Sequence, residues 1–215
     1  MKNNDYHNLI LNYLPESYKK WFLEEKKYLE KWIESNSSVL EVGSGDGRSI
    51  FDLIPITKNI VGIDHDEKAI QESIKKFAEF PLIKFIKADA EKLPFEDKLF
   101  DYVICMTSFA NFSNKKISIL NEMKRVLKES GKIVISVFSE KAFPERMKVY
   151  TNINIPIKEI RENGTVIFDE SLVDNTSEQF TKQELENIFS QVKLKINDIT
   201  EVSIAYMCTL SKEEI

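Results

Sequence analysis

Val39-Leu40-Glu41-Val42-Gly43-Ser44-Gly45-Asp46-Gly47 decides how this chain is read. A short β-branched run stops dead at three alternating glycines, and Arg48 to Ile54 then reads as a helix until Pro55. Glycines belong in such a turn because they accept dihedrals closed to residues with a Cβ and let a ligand approach the backbone. The free N–H groups at the start of the following helix add donors and a partial positive charge. Outward from the loop the same alternation repeats. Asn59 to Ile63 is a second strand that stops at Asp64, and Glu67 to Phe80 is a helix with Ile70, Ile74 and Phe77 on one face. Leu82 to Ile86 is a third strand ending near Asp89, and Tyr102 to Met106 is a fourth. Lys115 to Lys128 is a helix closed by Ser130-Gly131, and Lys132 to Phe138 is a fifth strand. Strands alternating with helices predict βαβ units, a mostly parallel sheet and helices on both faces, so the fold class is α/β.

The flanks are all expected to belong to the same domain. Residues 1–37 read as two helices interrupted at Pro15, with Trp21, Phe22, Tyr28, Leu29, Trp32 and Ile33 as the apolar positions of the second. Residues 38–138 form the core, and 139–215 an insertion and a terminal hairpin. Between 140 and 180 the pattern is less regular, with Thr165 to Phe168 and Gln179-Phe180 as short strands of an inserted hairpin. Thr181 and Glu184 have the spacing of a capping box for a helix to about Gln191. Val192–Ile199 and Val202–Leu210 follow as the hairpin.

The chain carries 30 basic and 35 acidic residues, a net charge of -5, which argues against a long nucleic acid as partner. Its two cysteines, Cys105 and Cys208, lie in apolar runs and read as buried thiols, not a disulfide framework. The opening MKNNDYHNLI has no secretory apolar segment, and no apolar run reaches the roughly 18–20 residues a bilayer span needs. A cytoplasmic location without membrane contact is the expectation. A homodimer stays open, and no metal site is indicated.

Asp64 stands 21 residues after Gly43, at the end of the next strand, where a carboxylate can accept both hydroxyls of a ribose. A nicotinamide dehydrogenase places its third glycine one residue later, where Arg48 stands, and no Tyr-x-x-x-Lys pair occurs. A P-loop fails for want of Gly-Lys-Ser/Thr.

With those alternatives removed, the chain resembles the class I S-adenosylmethionine-dependent methyltransferases. VLEVGSGDGRSI is similar to the first motif of that family and VGIDHDEKAI to the second; IKADAEKLPFEDKLFDYVICMTSFANF is similar to the third and fourth. NEMKRVLKESGKIVISVF resembles the family's helix and fifth strand. The Leu93-Pro94-Phe95 segment resembles the small-molecule branch that includes ubiquinone- and menaquinone-type C-methyltransferases. The resemblance covers about residues 38–138.

It implies a Rossmann-like, doubly wound sheet of seven strands, mostly parallel with a terminal antiparallel strand, and an N-terminal helical lid over the cofactor. It implies S-adenosylmethionine as cofactor and a methyl acceptor that is a small molecule. An RNA- or protein-directed enzyme and a non-catalytic, cofactor-binding partner subunit are the alternatives. The cofactor-binding candidates are Glu41, Gly43, Ser44, Gly45, Asp64, His65, Asp89, Ala90, Met106 and Phe109. Asp64 takes the ribose, Asp89 the adenine amino group and the Ala90 N–H a ring nitrogen. Glu41 orients the methionine amino group or caps the loop. His65 flanks the adenosine, while Met106 and Phe109, with Phe112 beyond, line the pocket or fill the core. Arg48 pairs with the methionine carboxylate, stands in solvent or forms a structural ion pair. A general base is needed only if the acceptor must lose a proton, and no residue is assigned that role; Tyr13 and His7 are the candidates. Arg146, Arg161, Glu170 and Tyr206 lie in regions suited to the acceptor wall.

Overall fold

Pro15 fixes φ at -59° and opens the first helix of the computed structural model, which describes residues 14–169, 172 and 175–213. This helix, α1 (Glu16–Trp32), buries Tyr18, Trp21, Tyr28 and Leu29, a helical stripe that faces inward as its sequence spacing requires. Each such apolar side chain removed from water contributes about 1.5–3 kcal/mol.

The strands β1 (Val39–Val42), β2 (Ile60–Asp64), β3 (Ile83–Lys87), β4 (Phe100–Met106) and β5 (Leu127–Phe138) are parallel. The last two strands, β9 (Leu194–Val202) and β10 (Ala205–Lys212), complete a seven-stranded sheet in the order β3-β2-β1-β4-β5-β10-β9. β10 is antiparallel to both neighbours, in the sixth position and not at the edge. All four residues of β1 are buried, as expected of a central strand covered on both faces. On one face α2 (Arg48–Leu53) and α3 (Glu67–Lys76) join α1 over Leu53, Ile60, Ile104 and Val134. On the other, α4 (Lys116–Val126) and α6 (Lys182–Gln191) pack Leu120, Met123, Leu185 and Phe189 against Val103, Ile135 and Cys208. The sheet thus has the doubly wound form read from the sequence, and both cysteines are buried and free.

Several boundaries differ. The helix expected to reach Phe80 stops at Lys76, where Phe77 leaves helical geometry and turns its ring onto Phe51 and Phe85. The helix expected to reach Lys128 ends at Val126, and β5 begins at Leu127. Gly131 therefore sits inside a strand. A Cβ there would stand 2.7 Å from the Asp101 carbonyl, at a register shift between β4 and β5. The region 140–180 holds a helix the sequence reading missed, α5 (Phe143–Asn152), with Pro144 in its first turn. The inserted strands are three: β6 (Ile157–Ile160), β7 (Val166–Phe168) and β8 (Thr176–Ser177), forming a small antiparallel sheet. Phe180 is not in it; it bridges to Ser139 at the end of β5. Thr181 and Glu184 form the expected capping box of α6.

α1 and the β9–β10 hairpin meet. Tyr28 donates to Asp198 Oδ2 at 2.8 Å and accepts from Thr209 at 2.9 Å, while Ser203 donates to the Ser17 carbonyl. Among the described residues no helix is long and apolar enough to cross a membrane.

Candidate functional site

The carboxyl ends of β1, β2, β4 and β5 open into one cavity of about 300 Å³. Its first half is built by the glycine loop. Gly43 has φ +74° and packs so tightly that a Cβ would lie 2.5 Å from the Cβ of Ser108, whose hydroxyl donates to the Gly43 carbonyl. Gly45, with φ +50°, has nothing within 4 Å of where its Cβ would stand, so the backbone there lies bare. The Gly45 N–H donates to Asp64 Oδ2 at 2.8 Å, and the Asp66 N–H donates to Asp64 Oδ1 at 2.9 Å. Two backbone donors thus fix the Asp64 carboxylate at the strand end, its remaining lone pairs turned to the cavity wall it helps form. Thr107, a β-branched residue with φ +74°, bends the chain at the end of β4 and also lines the cavity. Such a conformation costs about 1–3 kcal/mol and is typical of functional sites.

Glu41 is the buried acid of this half. Ser49 donates to its Oε1, and its Oε2 has no hydrogen-bond partner among the described residues. Burial pushes its carboxyl up to about 8. Arg48 lies close, but its guanidinium is paired with the fully buried Glu25 of α1 at 2.7 Å and covers the Phe22 ring at 4.0 Å. One cation therefore serves two buried carboxylates, and burial raises the Glu25 carboxyl as well. Of the three alternatives for Arg48, the structure holds the ion pair.

The second half of the cavity is aromatic. Tyr18, Trp21 and Phe22 from α1, Phe138 from the end of β5, Tyr150 from α5 and Phe168 from β7 line it. Tyr18 stands edge-on to Phe138 at 5.8 Å, and Tyr150 edge-on to Phe168 at 5.0 Å. The Trp21 indole donates to the Ser136 hydroxyl at 2.7 Å, tying α1 to β5. Burial holds the Tyr18 phenol far above its ordinary range, so it stays protonated.

Of the sequence candidates, the structure brings Glu41, Gly43, Ser44, Gly45, Asp64 and Met106 together on the cavity wall. His65 is largely exposed outside it, with Nδ1 3.9 Å from Asp64 Oδ1. Asp89 and Ala90 follow β3 beside the Asp64 strand end but are not on the wall; Asp89 Oδ1 accepts the Glu91 N–H. Phe109 is fully buried among Phe112, Phe180 and Phe189. His7, Tyr13 and Glu170 lie outside the described residues. Arg161 is exposed on the small sheet, and Tyr206 bonds Glu140. Sequence reasoning missed Tyr150, Phe168 and Ser177, because α5 and the small sheet bring them to the cavity from a stretch without clear period. Among the described residues no group of three or more His, Cys, Asp or Glu side chains could hold a metal ion.

A family model described as a methyltransferase domain matches residues 33–193. Demethylmenaquinone methyltransferase of Staphylococcus aureus is 29% identical over 152 residues, covering 69% of this chain and 61% of that one. The chain spans about three fifths of the length of the curated relatives it matches. Among solved structures, the PH0226 protein of Pyrococcus horikoshii superposes with a TM-score of 0.74 at 25% identity, covering 91% of each chain. A 1,6-didemethyltoxoflavin N1-methyltransferase of Burkholderia thailandensis, solved with bound 1,6-didemethyltoxoflavin and S-adenosylhomocysteine, has a TM-score of 0.64 at 16% identity, covering 84% of this chain and 72% of that one.

Proposed function

The chain belongs to the methyltransferase-domain family, and from that premise we propose that it transfers the methyl group of S-adenosylmethionine to a small-molecule acceptor held in the aromatic half of the cavity. The observation that carries this reading is the pairing of two sites in one cavity: a bare glycine turn between two strand-end acids, facing a pocket of rings.

The residues present fit the cofactor. Glu41 Oε2, buried and without a partner, suits an ammonium group. Asp64, its carboxylate fixed by two backbone donors, suits the hydroxyls of a ribose. When bound, the cofactor supplies a methyl already activated by positive sulfur. What remains for the protein is to hold donor and acceptor in line and keep water out, which supplies roughly 7–11 kcal/mol of barrier reduction. Tyr18, Trp21, Phe22 and Phe138 exclude water from the acceptor side. A concave cavity of about 300 Å³ favours a small acceptor over a folded macromolecule.

A thermal-shift screen is expected to show stabilisation by S-adenosylhomocysteine and none by NAD, since a ligand that binds only the folded state raises its stability by mass action. Stabilisation by NAD alone would overturn the assignment. Incubation with labelled cofactor and a cell extract, sorted by size, should then place the label in the small-metabolite fraction; label confined to RNA or protein would remove the small-molecule part.

A further inference from the structure

Behind the aromatic half lies a buried cation that no carboxylate neutralises among the described residues. Arg146 of α5 is completely buried. Its Nη1 donates to the Gly164 carbonyl at 3.0 Å and to Gln179 Oε1 at 2.9 Å; its Nη2 donates to the Ser177 carbonyl and, at 2.9 Å, to the Ser177 hydroxyl. Every partner is neutral, and Nε has none among the described residues. The guanidinium also lies 5.1 Å from the centre of the Phe138 ring and 5.9 Å from that of Tyr150. Arginine stays charged at any relevant pH, and an isolated buried charge costs several kcal/mol after relaxation. Arg48, less buried, has the Glu25 carboxylate; Arg146 has no ion pair among the described residues.

This charge reaches the cavity through one hydroxyl. Ser177 Oγ accepts from Arg146 and from the Tyr150 phenol at 2.9 Å each, and it lines the cavity. Two donors fill its lone pairs and leave its own proton without an acceptor among the described residues. A hydroxyl polarised in this way is a strong donor at the edge of a low-dielectric space. Around it stand rings that accept a flat molecule edge-on or offset. The acceptor half offers no carboxylate and no histidine among its described wall residues, and the Tyr18 phenol is held in its protonated form.

We infer that the methyl acceptor is a planar molecule carrying an anionic oxygen, such as a phenolate or enolate, and that Arg146 acts through Ser177 to select it in that form. This rests on the proposed methyl transfer and names its substrate class. The electron pair of the anion forms the new bond to the methyl carbon while the carbon–sulfur bond breaks and leaves its pair on sulfur. One positive and one negative charge disappear together, and no base is required during transfer. Arg146 is a positioning residue here; Ser177 makes the contact.

The test uses 4-nitrophenol, whose two ionisation forms absorb differently, and 4-nitroanisole, its neutral methylated counterpart. Both are titrated into the protein with and without S-adenosylhomocysteine. The phenolate is expected to bind at least tenfold more tightly than the anisole, and at a pH where the free probe is half ionised the bound probe should be almost wholly phenolate. Ser177→Ala, which leaves the other Arg146 contacts in place, should cut that preference several-fold; Arg146→Met should abolish it; Arg146→Lys should retain part of it. S-adenosylhomocysteine binding by each variant reports that it is folded. Equal affinity for the two probes, failure to bind either, or a preference unchanged in Ser177→Ala would overturn the inference. A phenolate preference without any S-adenosylhomocysteine binding would uphold the anion site and sink the cofactor reading instead.

Discussion

The two halves of the cavity are built by opposite means. The cofactor half comes from short stretches of chain: Glu41 and Ser49 are eight residues apart, and Gly45 and Asp64 nineteen. Its acids are held by backbone amides, a neighbouring hydroxyl and a nearby guanidinium. The acceptor half is assembled from α1, the end of β5, α5 and the small sheet, so its rings come from across the chain. Local construction constrains what a loop can bind and leaves little to vary. Construction at a distance lets each wall change without disturbing the others.

The Arg48–Glu25 pair joins the halves, and removing it is expected to have the largest effect. Arg48→Met should lower unfolding free energy by about 3 kcal/mol, the low end for stripping one partner from a buried pair, because Glu25 can take up a proton. Adding Glu25→Leu should recover most of the loss in urea titrations. A change below about 1 kcal/mol would mean that the pair is not what clamps α1 to the loop.

Next comes the proton on Glu41. Its carboxyl sits above the ordinary 4.5, at about 8, when folded. Between those values the folded state holds more protons than the unfolded one, so this group's stabilising contribution is complete at low pH and is lost as pH rises towards 8. The stability of the apoprotein, measured against pH, should fall less across that window in Glu41→Gln than in the parent. Parallel curves would show that Glu41 keeps an ordinary carboxyl.

Asp64→Ala should weaken S-adenosylhomocysteine binding by roughly 1.5–3 kcal/mol, about ten- to a hundredfold, by calorimetry. Unchanged affinity in a folded variant would remove its assigned role. The smallest effect tests the division itself. Trp21→Phe loses the bond to Ser136 and should cost about 1 kcal/mol of stability, while the affinity for S-adenosylhomocysteine holds steady. A matching loss of affinity would show that the halves are one site.

The same contrast explains what could be read from the sequence. The parallel sheet, the glycine turn, Asp64 and the α6 capping box were legible because each is announced by residues close together in the chain. The ends of α3 and α4 were not, since Phe77 and Gly131 answer to packing partners far away. α5 carried one local sign, Pro144, without a strong enough apolar stripe to complete it. Arg146 and Ser177 meet only because the small sheet folds back over α5, and no spacing rule links residues 31 positions apart.

The contacts of α1 with the β9–β10 hairpin carry a consequence for how the molecule comes into being. Tyr28 bonds partners 170 and 181 positions further along the chain. Long-range closures of that kind are slow, since loop entropy must be spent before the contact returns anything. During synthesis α1 is made before β5 and the β9–β10 hairpin that cover it, so its Trp21 and Leu29 stay uncovered on the nascent polypeptide until those strands follow. Chaperones that hold exposed apolar helices should engage residues 16–32 until those strands pack against them.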